Sequence, residues 1–208
     1  MRPERKLLIS IILIWLFNIS GIIGILIGYE DWFLSLTPLN LLLYLMLILW
    51  NSRINVTLFL ALLVPFSIGM ITEYLGVNHG LIFGNYQYGE NLGSKVLGVP
   101  WIIGVNWALL VYCTAAISKK IHQNIVISSF IAAVLMVALD VIIEVSAPRF
   151  DFWEFKGGVV PIQNYLGWLA TAFVAHIVFQ KILKNLQFTL SVHIFLAIFI
   201  FFTAFLFF

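Results

Sequence analysis

Three carboxylic acids stand within or at the ends of long apolar segments, where an ionisable side chain is costly to bury. Glu73 lies near the end of the apolar segment 54–75. Asp140 and Glu144 lie near the end of the segment 124–146, and their spacing of four residues places them on one face of a helix. Apolar surroundings favour the neutral form of a carboxylic acid, and two neighbouring carboxyl groups do not both ionise easily. The pattern therefore predicts a proton donor that acts at neutral pH.

Amides and aromatic rings accompany these acids at the same predicted depth. In an alternating topology, the starts of two further segments reach the same side of the membrane, and each start carries an Asn and a Trp. The loop after Glu73 is rich in Gly and Tyr, which indicates a structured loop folded over a pocket. Aromatic faces stabilise a nearby cation, so the set predicts acid catalysis on an apolar alkene delivered from the lipid. The residues predicted to bind substrate or position water are Tyr86, Tyr88, Asn106, Trp107, Asn164, Trp168 and His176.

Each of these residues also has a structural interpretation. Acids and amides at helix ends are often solvated at the interface or hydrogen-bonded between helices. Trp and Tyr form the ordinary aromatic belt of membrane proteins, and for His176 the role of a satisfied structural histidine is the favoured interpretation. The sequence has no H-x-x-x-H or E-x-x-H spacing, so no metal site is predicted. It also lacks a G-x-G-x-x-G fingerprint and any haem or iron–sulfur spacing, so no cofactor is predicted.

The composition identifies the elements that must position these residues as membrane helices. The chain is 62% hydrophobic and 10% charged, with a mean hydropathy of +1.08, which excludes a water-soluble fold. A spanning helix needs about 20 mostly apolar residues. The sequence therefore predicts an all-α fold, a polytopic bundle of about seven transmembrane helices forming a single domain over residues 1–208. The predicted spans are 7–28, 36–50, 54–75, 99–118, 124–146, 160–184 and 187–208, of which 36–50 is the weakest because it is short and carries Pro38 and Asn40.

The basic residues predict the orientation of the bundle. With the N-terminus in the cytoplasm, eight Lys and Arg residues lie inside and three lie outside, as the positive-inside rule favours. The first apolar segment is longer than a signal-peptide core and lacks a small-x-small cleavage site, so it is predicted to be a retained helix. The predicted location is a cell membrane, the bacterial inner membrane, with the C-terminus outside. The inside set is Arg2, Arg5, Lys6, Arg53, Lys119, Lys120, Lys181 and Lys184, and the outside set is Lys95, Arg149 and Lys156.

Four stretches of the chain resemble one family, in the same order along the sequence. They read ITEYLGVNHGLIFGNYQYGENLG, VLGVPWIIGVNW, ALDVIIEVSAP and GGVVPIQNYLGWLATAF. Together they resemble the membrane-bound carotenoid 1,2-hydratases of the bisanhydrobacterioruberin and γ-carotene hydratase type, over roughly residues 65–175. The patterns E-x-x-G-x-x-x-G-x-x-F-G-x-Y-x-Y, G-V-P-x-x-x-x-x-N-W, D-x-x-x-E and P-x-x-N-x-x-G-W are specific as a set, whereas no single one would suffice.

The resemblance implies a cofactor-independent hydro-lyase that adds water across the terminal C1–C2 double bond of an acyclic carotenoid ψ-end. Protonation at C2 gives a tertiary carbocation at C1, which water attacks while a base takes its proton. Asp140 and Glu144 are interpreted as the acid–base pair, and Glu73 is a third candidate for either role. The expected partners are water, the bilayer, and lycopene, γ-carotene or a related ψ-end carotenoid. No nucleic-acid partner is expected, because the net charge is +2 and the basic residues only punctuate apolar runs.

Other functions stay open at this point. A membrane carotenoid cyclase of the lycopene type also protonates the ψ-end, but the nearest approach to its P-x-E motif is Pro3-Glu4 in the tail. An aspartate-rich prenyltransferase would need D-x-x-x-D pairs to hold Mg²⁺ and diphosphate, and the sequence has none. A proton-coupled transporter or a binding protein would also explain intramembrane acids, although duplicated halves are not seen. A retinal photoreceptor requires a lysine in the last helix, and 187–208 contains none.

Overall fold

The computed structural model describes residues 2–207 and shows a helical bundle with a small β-sheet at one end. Met1 and Phe208, the ends of the predicted domain, lie outside the described residues. Within residues 2–207 the helices are α1 (Pro3–Leu26), α2 (Glu30–Ser35), α3 (Thr37–Asn51), α4 (Val56–His79), α5 (Trp101–Ile121), α6 (Ile125–Ser146), α7 (Ile162–Ile182) and α8 (Phe188–Ala204). The short strands are β1 (Tyr86–Tyr88), β2 (Lys95–Val96), β3 (Val99–Pro100) and β4 (Trp153–Phe155).

The predicted helical fold is confirmed, and each predicted span overlaps one helix of at least 15 residues. Among the described residues, five helices (α1, α4, α5, α6 and α7) are long and apolar enough to cross a membrane. The apolar helices α3 and α8 have 15 and 17 residues. At 1.5 Å per residue they are about 22 and 26 Å long, against a hydrocarbon core about 30 Å thick. The six-residue helix α2 lies in a stretch that the sequence predicted as a connector.

Side chains and prolines at the helix ends explain where the helices begin. The side-chain oxygen of Asn55 accepts a hydrogen bond from the Leu58 amide at the start of α4, and Asn124 caps α6 in the same way. Pro38 stands in the first turn of α3, where a missing N–H is tolerated. It therefore begins a helix after α2 instead of breaking one. α4 ends at Gly80, whose φ of +65° is a left-handed conformation that suits glycine.

α5 is the central helix, and it packs against α3, α4, α6, α7 and α8. Most of its residues are buried, including the large side chains of Trp107 and Tyr112. A helix that is apolar on all faces is expected to be surrounded by other helices. Because α5 begins directly after Pro100, its second turn carries Asn106 and Trp107 at the same end of the bundle as the ends of α4 and α6.

Glycines allow α4 and α5 to approach closely. Gly69 on α4 lies against the ring of Trp107, and Gly104 on α5 lies against Phe66. A Cβ atom at either glycine would overlap these side chains. Small residues have this role at helix interfaces in membranes, where close packing replaces the hydrophobic effect. The contact fixes Trp107 at the height of Glu73.

A β-sheet cap, formed by β1 and β4, covers the end of the bundle. The two strands are antiparallel, with Tyr86 opposite Phe155 and Tyr88 opposite Trp153. Alternation along β1 turns both tyrosines inward and leaves Gln87 exposed. The cap contains the Gly- and Tyr-rich loop that the sequence predicts to fold over a pocket. Its position between helix ends lets side chains from two connectors reach into the bundle.

Replacing Gly69 by alanine is expected to lower the free energy of unfolding by about 1–3 kcal/mol, because the new methyl group overlaps the stem of the Trp107 ring. Thermal unfolding in detergent, followed by tryptophan fluorescence, measures the change. Gly21→Ala is the matched control, since its Cβ would lie 3.4 Å from Phe201 at an ordinary contact distance. Equal stability of the Gly69→Ala variant and the control would contradict the close packing of α4 on α5.

Candidate active site

A cavity lies beneath the β-sheet cap, between α4, α5, α6 and α7. A water-sized molecule can reach about 30 Å³ of it, room for about two water molecules, within about 500 Å³ of free space that also counts the part open to solvent. The lining is largely apolar and aromatic, with polar groups from all four helices and the cap. The lining residues are Glu73, Phe83, Tyr86, Tyr88, Ile103, Asn106, Leu110, Met136, Asp140, Ile143, Glu144, Trp153, Phe155, Asn164 and Trp168.

Asp140 and Glu144 share one hydrogen-bond donor. The Asn164 Nδ2 atom on α7 donates to Asp140 Oδ2 at 3.0 Å and to Glu144 Oε1 at 3.1 Å. Trp153 Nε1 from β4 donates to the second oxygen, Glu144 Oε2, at 3.0 Å. All three members of the shared bond are buried. The two carboxyl groups therefore form a coupled pair, held together by a single amide from the facing helix.

Glu73 accepts hydrogen bonds from three side chains and is 3% exposed. Tyr86 Oη and Tyr88 Oη both donate to Glu73 Oε2, the latter at 2.7 Å, and Trp107 Nε1 donates to Glu73 Oε1 at 3.1 Å. Burial raises the pKa of Tyr86 and that of Tyr88, so both hydroxyl groups keep their proton near neutral pH. Both oxygens of Glu73 are thus occupied by donors from the cap and from α5.

Aromatic rings form one wall of the cavity. Trp168 on α7 stacks on Trp107 with ring centroids 4.5 Å apart and an interplanar angle of 15°. Phe83 contacts Trp168 from the connector after α4, with centroids 6.1 Å apart. The face of an aromatic ring carries partial negative charge and attracts cations. The wall therefore offers a water-poor surface on which a positive charge on a hydrocarbon is stabilised.

Of the polar groups at the cavity that make no hydrogen bond among residues 2–207, two bear on the chemistry. One is the Oδ1 atom of Asp140, whose other oxygen is bonded to Asn164. The other is the side-chain amide of Asn106, which lines the cavity from α5. Buried polar groups normally pair with protein or with water. These two groups are therefore available to a molecule inside the cavity.

Metal-ligating side chains do not cluster at this site. In the part of the chain that the structure describes, no group of three or more His, Cys, Asp and Glu residues is arranged to hold a metal ion. Glu73 lines the same cavity as the Asp140–Glu144 pair but is bonded to different donors.

The structure brings together most of the residues predicted from the sequence. Asp140, Glu144 and Glu73 line the cavity with Tyr86, Tyr88, Asn106, Asn164 and Trp168. Trp107 is fully buried behind the wall, where it holds Glu73 and stacks on Trp168.

The structure does not place His176, which the sequence predicted to bind substrate, among the residues that line the cavity. It lies eight residues beyond Trp168 on α7, about 12 Å further along the helix. Its ring is fully buried and pairs through Nε2 with Thr114 Oγ1 at 3.1 Å. This contact is that of a structural histidine between α5 and α7.

Several lining residues were missed by the sequence reasoning. Trp153 and Phe155 arrive through the pairing of β4 with β1, and no local pattern shows that two distant connectors form one sheet. Ile103 and Leu110 share a helical face with Asn106, at spacings of three and four residues. Helical periodicity around Asn106 would have found these two residues.

The chain belongs to the family of carotenoid biosynthesis proteins, because residues 33–208 match that family. It is also similar to bisanhydrobacterioruberin hydratase of Haloarcula japonica, with 32% identity over 121 residues. This match covers 52% of the present chain and 40% of the relative, so the chain spans less than half of the relative's length. The family resemblance predicted from the sequence motifs is thereby confirmed. No solved structure matches the chain.

Replacing Tyr88 by phenylalanine is expected to lower the free energy of unfolding by about 1–3 kcal/mol, because Glu73 loses a buried donor. Thermal unfolding in detergent measures the loss. Tyr29→Phe serves as the control, since that side chain is exposed. An unchanged stability of Tyr88→Phe would show that the cap does not hold Glu73 as described.

Proposed function

We propose that this protein adds water to the terminal C1–C2 double bond of an acyclic carotenoid ψ-end and yields a 1-hydroxy carotenoid. The family and the relative named as a hydratase support a carotenoid substrate. The observation that carries the proposal is the pair of Asp140 and Glu144, which line an aromatic cavity and accept hydrogen bonds from the same side-chain amide, that of Asn164. The reaction needs a proton donor, a base, a water molecule and a surface that tolerates a carbocation, and each has a counterpart among the cavity residues.

Asp140 is the proposed proton donor. Its Oδ1 atom has no partner among residues 2–207, whereas both oxygens of Glu144 accept hydrogen bonds. A proton on Oδ1 is therefore placed to reach C2 of a bound alkene without breaking a hydrogen bond. When this proton is transferred, the electron pair of the double bond forms the new C2–H bond. The positive charge is left at C1, where two methyl groups make the cation tertiary.

Asn106 is the proposed partner of the attacking water. Its side-chain amide lines the cavity, which has room for about two water molecules. The water oxygen bonds to C1 and releases one proton. That proton returns to the Asp140–Glu144 pair, which holds one shared proton before and after the reaction. The net change is the addition of one water molecule, and no oxidant or reductant is needed.

Glu73 is proposed to stabilise the cation and not to donate the proton. It accepts three hydrogen bonds and donates none in this arrangement, which suits a carboxylate. Its Trp107 partner stacks on Trp168, which faces the cavity. Negative charge on Glu73, which itself lines the cavity, and the π face of Trp168 both favour a positive charge at C1. Tyr86 and Tyr88 hold Glu73 in this position.

The proposed setting is the bacterial inner membrane. The proposed topology has seven spans with the N-terminus inside. This orientation places eight basic residues on the inner side and three on the outer side, as the positive-inside rule favours. In this topology residues 1–208 form one transmembrane domain, and the cavity lies near the outer surface. The ψ-end enters the cavity, and the remaining polyene extends into the bilayer. α3 and α8 then cross as short helices with local thinning of the bilayer.

Asp140→Asn is expected to lower turnover by about 10²–10⁴-fold, because the amide cannot donate the proton to the alkene. The chain is expressed in a bacterium that accumulates lycopene or γ-carotene, and the pigments are analysed by liquid chromatography with mass spectrometry. Asp31→Asn is the matched control, because Asp31 is exposed in the first turn of α2. Full turnover of a folded Asp140→Asn variant would remove Asp140 from the reaction.

Asn106→Leu is expected to lower the yield of hydroxylated pigment by about tenfold, the equivalent of one lost hydrogen bond of about 1.4 kcal/mol. Because protonation still occurs, a larger share of the product is expected to be isomers of unchanged mass. Gln87→Leu also replaces a side-chain amide by leucine, but on the exposed face of β1, and should leave the ratio of hydroxylated to isomerised pigment unchanged. A product ratio unaffected by Asn106→Leu would show that Asn106 does not position the water.

The same pigment analysis separates hydration from the competing functions. A product heavier by one water molecule supports hydration. A cyclic product of unchanged mass indicates capture of the cation by an internal alkene, as in a cyclase. Unchanged pigment with a folded protein indicates binding or transport without chemistry.

A further inference from the structure

A second cavity lies at the opposite end of the bundle, between the end of α5 and the start of α8. Its volume is about 310 Å³, against about 30 Å³ for the cavity beneath the cap. Three lysines line it, Lys119 and Lys120 from α5 and Lys184 from the connector before α8. The lining contains no acidic residue. We call this site the basic cavity.

The charge of the basic cavity is not balanced within the chain. Both salt bridges among residues 2–207, Lys95 with Glu90 and Arg149 with Glu30, lie at the other end of the bundle. None of the three lysines is paired with a carboxylate in the described part of the chain. Neighbouring like charges repel each other. An anion in the cavity would relieve this repulsion.

Two of the lysines are held at the cavity by their own contacts. The Lys119 ammonium donates to the Leu183 carbonyl at 3.0 Å and keeps its other protons free. The Lys120 ammonium lies over the ring of Phe188, 5.6 Å from its centroid. These contacts place the two ammonium groups beside the connector and the start of α8, which line the cavity with them.

The start of α8 adds further donors to the same site. The helix begins at Phe188, and its N-cap residue Gln187 makes no side-chain cap hydrogen bond. The first amide groups of a helix lack partners in the helix and carry partial positive charge. Both Gln187 and Phe188 line the basic cavity. The Gln187 amide already donates to Tyr112 Oη at 3.1 Å, so the amides open to an anion are those of the first helical residues from Phe188. An anion there meets ammonium groups and helix amides together, as phosphate does in many proteins.

The surroundings of the basic cavity are those of a membrane surface. It lies at the end of α5, a helix long and apolar enough to cross a membrane. Ile121 and Phe188 expose large apolar side chains beside it. A soluble anion makes no use of such an apolar border, whereas the acyl chains of a lipid cover it. Basic pockets between helices at a membrane surface are suited to anionic lipid headgroups.

We propose that the basic cavity binds the phosphate group of an anionic phospholipid. Lys119, Lys120 and Lys184 hold the phosphate, the start of α8 donates to its oxygens, and the acyl chains lie against the apolar surface of the bundle. The site is independent of the carotenoid chemistry beneath the cap. A lipid held there would fix α5 to α8 at the end opposite the cap.

Binding is measured on the purified full chain in detergent, by thermal unfolding during titration with phosphatidylglycerol. Phosphatidylcholine and inorganic phosphate are titrated in parallel. Phosphatidylglycerol is expected to raise the unfolding temperature, and neither of the other two is expected to do so. In the triple variant Lys119→Gln, Lys120→Gln, Lys184→Gln, the affinity for phosphatidylglycerol is expected to fall on the order of 100-fold. Lys181→Gln is the matched control, because Lys181 is exposed near the same end but does not line the cavity.

Three results would overturn the proposal. Equal affinity for phosphatidylglycerol in the triple variant and in the chain with native lysines would place the lipid elsewhere. An equal rise in the unfolding temperature with phosphatidylcholine would show that the site does not distinguish the charge of the headgroup. Stabilisation by inorganic phosphate alone, without a further gain from the lipid, would assign the cavity to a soluble anion. If the triple variant does not fold, Lys120→Gln and Lys184→Gln are titrated singly, each with an expected loss of about fivefold.

Discussion

A carboxyl group buried in a membrane bundle needs hydrogen-bond donors from the protein, since the bilayer supplies none. Three such groups in this chain find their donors on other elements. Glu73 on α4 is bonded by the cap and by α5, and Glu144 on α6 is bonded by α7 and by β4. These bonds explain why the cap is attached to the bundle. They also explain why the ends of four helices converge on one cavity.

This constraint shapes the chemistry that the cavity can perform. Because most donors are already used in holding the acids, few polar atoms are left to face a ligand, and the rest of the lining is aromatic or aliphatic. A hydrocarbon can enter such a space, and a positive charge formed there meets ring faces instead of bulk water. The scarcity of free polar groups limits the number of water molecules that can attack. A proposed hydratase benefits from both properties.

The sequence predicted much of this arrangement, and specific residues show where prediction ended. The shared face of Asp140 and Glu144 follows from their spacing of four residues, which the helix α6 reproduces. The Gly- and Tyr-rich composition of the loop after Glu73 predicted that it folds over a pocket, and alternation along β1 then turns Tyr86 and Tyr88 inward. Trp153 could not be predicted as the partner of Glu144, because their contact depends on a sheet formed by two connectors far apart in sequence.

Depth along a helix was the second limit of the sequence reasoning. His176 lies on the same face of α7 as Asn164 and Trp168, but a shared face does not tell how far along the helix a residue lies from the cavity. The structure places its partner, Thr114, deeper in the bundle. In contrast, the sequence predicted Asn106 at the end of the bundle where the structure places the cavity, because α5 begins at a fixed point after Pro100. A helix start that proline defines therefore indicates the depth of a residue, which a shared helical face does not.

The central claim is that water adds to a ψ-end carotenoid in the cavity beneath the cap. The most direct measurement incubates the purified, folded chain with lycopene in water enriched in oxygen-18, and analyses the pigment by mass spectrometry. Hydration predicts a product that carries one oxygen-18 atom in a tertiary hydroxyl group at C1, formed by the native chain and lost in Asp140→Asn. Pigment without the label, or a product of unchanged mass, would contradict the claim.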